Sequence, residues 1–228
     1  MKISVLLPTR DRVKMVIKTL NSLYDNVSDK NRLEILLGLD YDDSSINDLK
    51  EYVDKNMSDC DIKFHISSKR YGYKYLHKYI NELSKIAEGD WLFLWNDDSY
   101  ILTDNWDKEV EKYKDNFALL SPKVKESMDY PGTMFPIIPK AWFDEVGHFS
   151  LNCHNDTWVE EIAMELDIFV YIPVMVTHLR NDYIKGTLTD KTWQERRQDK
   201  KGFHSKEMKV QRVLDAHKLR QYINEHYE

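Results

Sequence analysis

Short apolar runs alternate with amphipathic stretches along the first hundred residues. Ile3-Ser4-Val5-Leu6-Leu7 has the length and β-branched content of a strand, and Pro8 stops it. From there Val13, Val16, Ile17, Leu20, Leu23 and Tyr24 follow helical spacing with one buried face. A second strand is expected within Arg32–Asp40, a helix over about Ile46–Met57, and a third strand over Asp61–Ile66. Leu76, Ile80, Leu83 and Ala87 mark another helix, closed by Gly89. Trp91-Leu92-Phe93-Leu94-Trp95 is then a buried fourth strand running straight into Asn96-Asp97-Asp98-Ser99. This β-α-β-α-β-α-β order predicts an α/β fold: a parallel sheet with helices on both faces.

Beyond the aspartates the rhythm changes. Asp104 can cap a helix over Trp106–Lys114, and Phe117–Leu120 is a short strand. Asp129-Tyr130-Pro131-Gly132 is a turn, Thr133–Ile138 a strand closed by Pro139, and Lys140–Val146 a short helix. After an irregular loop, Asp156 (or Asn155) has the position of an N-cap for a helix carrying Val159, Ile162, Ala163 and Leu166. Ile168–Tyr171 and Val174–Val176 read as two closing strands around Pro173, followed by Thr177-His178-Leu179-Arg180. From Lys185 onward there is no β signal. A helical piece near Thr189–Gln198, a break at Gly202 and a long polar helix to about Tyr222 are expected, with Val210, Val213, Leu214 and His217 on one face. The division expected is a main domain over residues 1–184 and a helical extension over 185–228. The extension would pack weakly on the body or pair two copies as a homodimer.

A hydrophobic content of 42% places the chain among folded proteins rather than disordered ones. No apolar run approaches the ~18–20 residues of a membrane span. Two cysteines far apart in sequence, Cys60 and Cys153, give no disulfide framework, so a reducing interior, the cytoplasm, is the expectation. The net charge of −6 is uneven: residues 185–228 carry +4 and the rest −10. An acidic body argues against nucleic acid as a partner.

Two adjacent aspartates at a strand end repel each other and lose hydration, so a cation, a basic residue or backbone donors should face them. Pro8–Arg12, Asp40–Ser45 and Asn96–Ser99 all stand at strand carboxyl ends, the edge where open α/β sheets bind ligands. No glycine loop for phosphates follows the first strand, and no Walker pattern occurs. A nucleotide bound here would need a divalent cation bridging carboxylates and phosphate oxygens.

The ordered set of pieces resembles the GT-A glycosyltransferases of the inverting family 2 type. It comprises Ile3–Arg10, the cluster Asp40-Tyr41-Asp42-Asp43-Ser44, Arg70-Tyr71-Gly72 before a helix holding Asn81, and Gly89–Leu94 leading into Asn96-Asp97-Asp98. It continues with Val146-Gly147-His148-Phe149 followed by Asn155-Asp156, and covers roughly residues 1–180. The family pattern is Asp-x-Asp where this chain has Asn96 first, and Glu where it has Asn155. The resemblance implies a mixed, mostly parallel Rossmann-like sheet and a metal-dependent transfer, with inversion, from a nucleoside-diphosphate sugar to an acceptor hydroxyl, saccharide or other. It implies Mn²⁺ or Mg²⁺ held by Asp98 and His178, with Asp97 beside them holding ribose or a metal-bound water. Pro8, Thr9 and Arg10 would line the base pocket, Asp40 would contact base or ribose, and Arg70 would reach in from the next loop. Asp156 would be the general base, with Glu160 and Glu161 one turn on as substitutes. Trp158, mainly a core residue, stands where it could also stack on an acceptor sugar. Two other readings stay open: a catalytically silent nucleotide- or sugar-binding module, and a sugar nucleotidyltransferase, which normally needs a glycine- and lysine-rich loop after the first strand.

Overall fold

A computed structural model describes residues 1–179 and 202–227. The helical piece near Thr189–Gln198 and the 184/185 boundary lie outside the described residues. The elements in order are β1 (Ile3–Pro8), α1 (Val13–Asn26), β2 (Leu33–Asp40), α2 (Ile46–Asn56), β3 (Asp61–Ser67), α3 (Leu76–Ile86), β4 (Trp91–Leu94) and β5 (Ser99–Ile101). They continue with α4 (Trp106–Glu111), β6 (Leu119–Val124), β7 (Ile137–Pro139), α5 (Lys140–Val146), α6 (Asn155–Glu165), β8 (Phe169–His178) and α7 (Lys206–His226).

The eight strands form one sheet in the order β3-β2-β1-β4-β7-β6-β8-β5. The first half is parallel, as expected: β1 lies between β2 and β4, with Ile3 level with Leu33 and Trp91. The second half is mixed. β7 runs antiparallel to β4 and β6, and β5 antiparallel to β8, while β6 and β8 are parallel. From β1 the chain adds β2 and β3 on one side and then β4 on the other, and this switch point opens a crevice at the strand carboxyl ends.

Side-chain alternation explains both layers. Ile3, Val5 and Leu7 of β1, Leu33, Ile35, Leu37 and Leu39 of β2, and Trp91, Phe93 and Trp95 at β4 enter one core, shared with α1, α2 and α4. Leu6, Leu36, Leu92 and Leu94 enter the other, against α3, α5, α6 and α7. Near the amino ends the second face carries polar groups instead. Glu34 is fully buried and accepts Lys63 Nζ at 2.7 Å, the Glu88 amide at 3.0 Å and the Ser4 hydroxyl. A buried carboxylate with its oxygens all engaged is tolerable.

Several elements differ from expectation for readable reasons. The third helix ends at Ile86, capped by extended Ala87, so Gly89 is not its terminus. Gly89 instead donates its amide to Ser4 Oγ at 2.8 Å, and an added Cβ would lie 2.7 Å from the Ser4 backbone nitrogen. Helix α4 starts after left-handed Asn105, not at an Asp104 cap. The expected strand Thr133–Ile138 pairs only from Ile137, because Met134 and Phe135 turn inward to fill the first core. The two closing strands are one, β8, running through Pro173. Its register against β6 shifts between Ser121 and Lys123, so Pro122 and Pro173 sit where ladder bonds are already missing.

The C-terminal helix departs most from its pattern. Val210, Val213 and Leu214 are about half exposed, and the buried side is Arg212, Asp215, Ala216 and Leu219. Ala216 and Leu219 join the second core with Phe149, Trp158 and Phe203. Apolar counting misplaces this face because its centre is charged. Arg212 Nε pairs with Glu161 Oε2 at 2.7 Å, Nη1 donates to the Phe203 carbonyl at 3.1 Å, and the guanidinium lies 4.1 Å above the Phe203 ring. Asp215 accepts Trp158 Nε1 at 3.2 Å and Gln211 Nε2 at 2.8 Å, with His148 Nε2 3.4 Å away. Among the described residues no helix is long and apolar enough to cross a membrane.

His77, early in α3, is half-buried and its Nδ1 has no hydrogen-bond partner among the described residues. Burial, then the nearby Lys78 and His148 charges, push its pKa down to about 4. The folded state thus refuses a proton that the unfolded chain accepts below ~6.5. This contribution is absent above that pH, grows as pH falls towards 4, and there subtracts about 1–2 kcal/mol, reduced because the ring is partly solvated. Urea midpoints of His77→Gln should therefore fall less steeply than wild type between pH 6.5 and 4; identical slopes would exclude His77 as the source.

Candidate active site

The three polar clusters meet at the carboxyl edge of β1, β2 and β4. Pro8 ends β1, and the Thr9 amide donates to Gly38 O at 2.9 Å, fixing the turn against β2. Arg10 Nη1 bonds Asp40 Oδ2 at 2.8 Å and Asp42 Oδ1 at 2.7 Å. The hydrogen bond to Asp42 leads in raising the Arg10 pKa, against burial. Asp11 takes a left-handed conformation (φ 53°), which Asp tolerates better than most residues. Its carboxylate accepts the Ser44 hydroxyl at 2.9 Å, and its amide donates to Asp43 at 3.2 Å, so the β1 and β2 turns lock together. Asp40 is buried and also accepts the Tyr79 hydroxyl. Burial, and then that bond, raise the Tyr79 pKa. Arg70 is exposed, close enough that its charge contributes to lowering Asp42, whose pKa falls chiefly through its bond to Arg10.

Asp97 and Asp98 have separate surroundings. Asp97 is buried, with Oδ2 accepting Thr9 Oγ1 at 2.7 Å and Oδ1 accepting Arg12 Nη1 at 2.6 Å. Its carbonyl accepts Thr19 Oγ1 at 2.9 Å. Burial pushes its carboxyl up, Arg12 pulls it down, and Asp98 adds an upward push; the balance is upward. Asp97 thereby ties β4 to the β1 turn and to α1, and each oxygen keeps a second lone pair. Asp98 faces His178, with Oδ1 3.1 Å from Nε2. Burial acts upward on Asp98 too, but the His178 contact outweighs it and holds the carboxyl below its usual value.

The β8 strand delivers His178 because it pairs antiparallel with β5, placing His178 level with Ser99. Glu126 fixes that end, accepting the His178 amide at 3.0 Å and the Thr177 hydroxyl. His178 is buried, its ring 5.1 Å from Phe135, and its Nδ1 has no hydrogen-bond partner among the described residues. Two atoms sharing a cation at ~2.1 Å and about a right angle stand ~3 Å apart. The Asp98–His178 spacing fits that arrangement, and a carboxylate with an imidazole is a donor set that suits Mn²⁺. Among the described residues, three ligand atoms close enough to share an ion occur at Glu34, Asp61 and Glu88. That group lies at the opposite ends of the strands, and Lys2 and Lys63 occupy it.

Asp156 is the second residue of α6, whose N-cap is His154, so it sits inside the first turn rather than at the cap. It is half-buried, and its Oδ1 accepts the Thr157 amide at 2.8 Å. Among the described residues no hydrogen bond or ion pair links it to Asp97, Asp98 or His178. Its two substitutes are engaged elsewhere: Glu160 accepts the Thr133 amide at 2.6 Å, and Glu161 holds Arg212. Asn155 is buried, its Nδ2 donating to the Cys153 carbonyl at 3.2 Å. Trp158 is fully buried and bonded to Asp215, which removes it as a stacking platform for an acceptor. Arg12, Tyr79 and Glu126 were not legible as site residues. The Asp97-Asp98 pair signalled that a basic partner must exist, but nothing local named Arg12.

The model of the family described as "Glycosyl transferase family 2" matches residues 4–212. The chain belongs to that family. The chain shares its fold with solved structures at low identity. S. aureus TarS 1-349 in complex with UDP is 19% identical, with a TM-score of 0.60, covering 80% of this chain and 62% of that one. The mannosyltransferase PcManGT from Pyrobaculum calidifontis, in complex with GDP-Man and Mn²⁺, is 15% identical with a TM-score of 0.65, covering 82% and 58%. The chain thus spans about three-fifths of each of these two. Its mixed sheet flanked by helices, with a C-terminal helix, is the GT-A fold. No curated protein sequence matches.

Proposed function

We propose that this family 2 enzyme binds a nucleoside-diphosphate sugar with a divalent cation and transfers the sugar, with inversion, to an acceptor hydroxyl. The observation that carries the reading is the Asp98–His178 pair, 3.1 Å apart beside the interlocked Arg10–Asp40 turn. The PcManGT complex with GDP-Man and Mn²⁺ supports the same chemistry for this edge. Asp98 and His178 would hold Mn²⁺ or Mg²⁺, which when bound neutralises the charge of the leaving diphosphate.

The chain's own residues divide the remaining work. Asp40, kept in place by Arg10 and Tyr79, accepts hydrogen bonds from ribose or base, with Pro8 and Thr9 forming the wall and Arg70 at the exposed rim. Asp97 holds the β1 turn to β4 through Thr9 and Arg12, so the donor pocket and Asp98 keep a fixed spacing. Asp156 takes the acceptor proton as the acceptor oxygen bonds to the anomeric carbon. The bond from that carbon to the diphosphate oxygen breaks on the opposite face, and its electrons leave with the diphosphate.

Calorimetry with UDP and GDP, with and without Mn²⁺, followed by donor hydrolysis, tests the reading. Metal-dependent binding of one nucleotide with slow turnover of its sugar donor is expected. Binding without any turnover would indicate a silent module, in keeping with Asn96; no nucleotide binding would overturn the proposal.

A further inference from the structure

We infer that the acceptor is a saccharide, and that one of its pyranose rings packs in the cavity between the end of β6 and Tyr171. The inference rests on the transferase reading above and adds the acceptor class. The cavity measures about 220 Å³ and is lined by Lys123, Ser127, Met128, Tyr130, Gly132 and Tyr171, among others. That is smaller than the ~300–1,000 Å³ pockets of drug-sized ligands and suits a single ring. Exposed apolar side chains scattered singly need no explanation, but here Met128 (52%), Tyr130 (40%) and Tyr171 (44%) line one cavity.

The chemistry of the wall matches a sugar. A pyranose has an apolar C–H face and a rim of hydroxyls, and a tyrosine likewise joins an apolar ring face to a polar tip. The Tyr171 ring is braced edge-on by Phe169 at 5.0 Å, with Lys123 Nζ 6.0 Å from its centre. Lys123, Ser127 and Asp129 supply polar groups for ring hydroxyls and argue against a purely apolar occupant.

The position argues for acceptor rather than donor. Glu160, one helical turn beyond Asp156, bonds the Thr133 amide and fills the space beside Gly132 in the cavity wall. On another side, the turn Lys125–Ser127 carries Glu126, which holds the His178 amide. The cavity is therefore built from segments fastened to the helix of the candidate base and to the strand of the candidate metal ligand. It lies away from the Asp40 turn, where the nucleotide would sit.

Saturation-transfer NMR on the full chain, with methyl glucoside, galactoside, mannoside and N-acetylglucosaminide as probes, tests this directly. At least one probe should receive transfer at its ring C–H protons, at least about fivefold weaker in Tyr171→Ala and Tyr130→Ala at unchanged melting temperature. No transfer to any probe in wild type, or full transfer in both variants, overturns the inference. Nucleotide calorimetry on the same samples separates the two claims. Glycoside binding without nucleotide binding would sink the transferase reading and with it the acceptor role, leaving only a glycoside site, whereas nucleotide binding without glycoside binding would sink this inference alone.

Discussion

Asp98→Ala should reduce Mn²⁺-dependent nucleotide binding by at least about 100-fold, since loss of an outer-shell partner alone commonly costs ~10–100-fold. The carboxylate is held below its usual pKa by His178, so it is ionised and available at neutral pH. Its removal leaves the imidazole as the remaining protein ligand of the pair. The fold should survive, because the contact between Asp98 and the β8 end that sets geometry is a backbone one: its carbonyl accepts the Leu179 amide at 2.9 Å. Deleting one of two adjacent carboxylates also relieves repulsion on buried Asp97. Against that relief the variant loses the contact with buried His178, so the melting temperature should change little while metal-dependent heat disappears. Unchanged metal-dependent binding in a folded variant would remove Asp98 from the metal site. His178→Ala should show the same pattern at smaller amplitude, since it deletes a neutral ligand.

Asp156→Asn is expected to lower the transfer rate by ~10²–10⁴ while leaving nucleotide affinity within about twofold, the range that general base catalysis supplies. The substitution is nearly isosteric, and the amide oxygen can still accept from Thr157. It removes a negative charge from the first turn of α6, which costs ~0.3–1 kcal/mol through the helix dipole. A small fall in stability with a large fall in kcat and an unchanged acceptor KM is the signature of a lost proton acceptor. Full activity would transfer the role elsewhere; Glu160 is the next carboxylate on that helix, and burial raises its pKa.

The parallel half of the sheet was legible because β1, β2 and β4 are largely apolar runs between polar clusters, and β3 alternates apolar with polar residues. Ile3–Leu7 and Trp91–Trp95 are buried on both faces, and a run of that kind has few other uses. The mixed half was harder. β5 is only Ser99–Ile101, held by pairing with a strand more than seventy residues later, and β8 hides its continuity behind Pro173. The site followed the same rule. Clusters at strand ends could be placed on one edge from order alone, and there Thr9 bonds Asp97 while Arg10 bonds Asp40. Arg12 and Tyr79 could not, because their partners are fixed by a rotamer and a helix turn rather than by spacing. Asp156 lies on the expected element, but two positions past the cap, as a first-turn residue.

The clasp between α6 and α7 bears on how the chain comes to be folded during synthesis. Domains begin folding from the N-terminus as they emerge. The first core closes with elements that end at β8, but the second includes Ala216 and Leu219. Until residues 206–226 leave the ribosome, Trp158 and Glu161 face water with neither Asp215 nor Arg212 to meet them. The nascent chain therefore carries an open aromatic trench behind its candidate base helix, a ready target for chaperones. Polypeptides ended before Lys206 would keep that trench permanently, with aggregation rather than mere inactivity as the outcome.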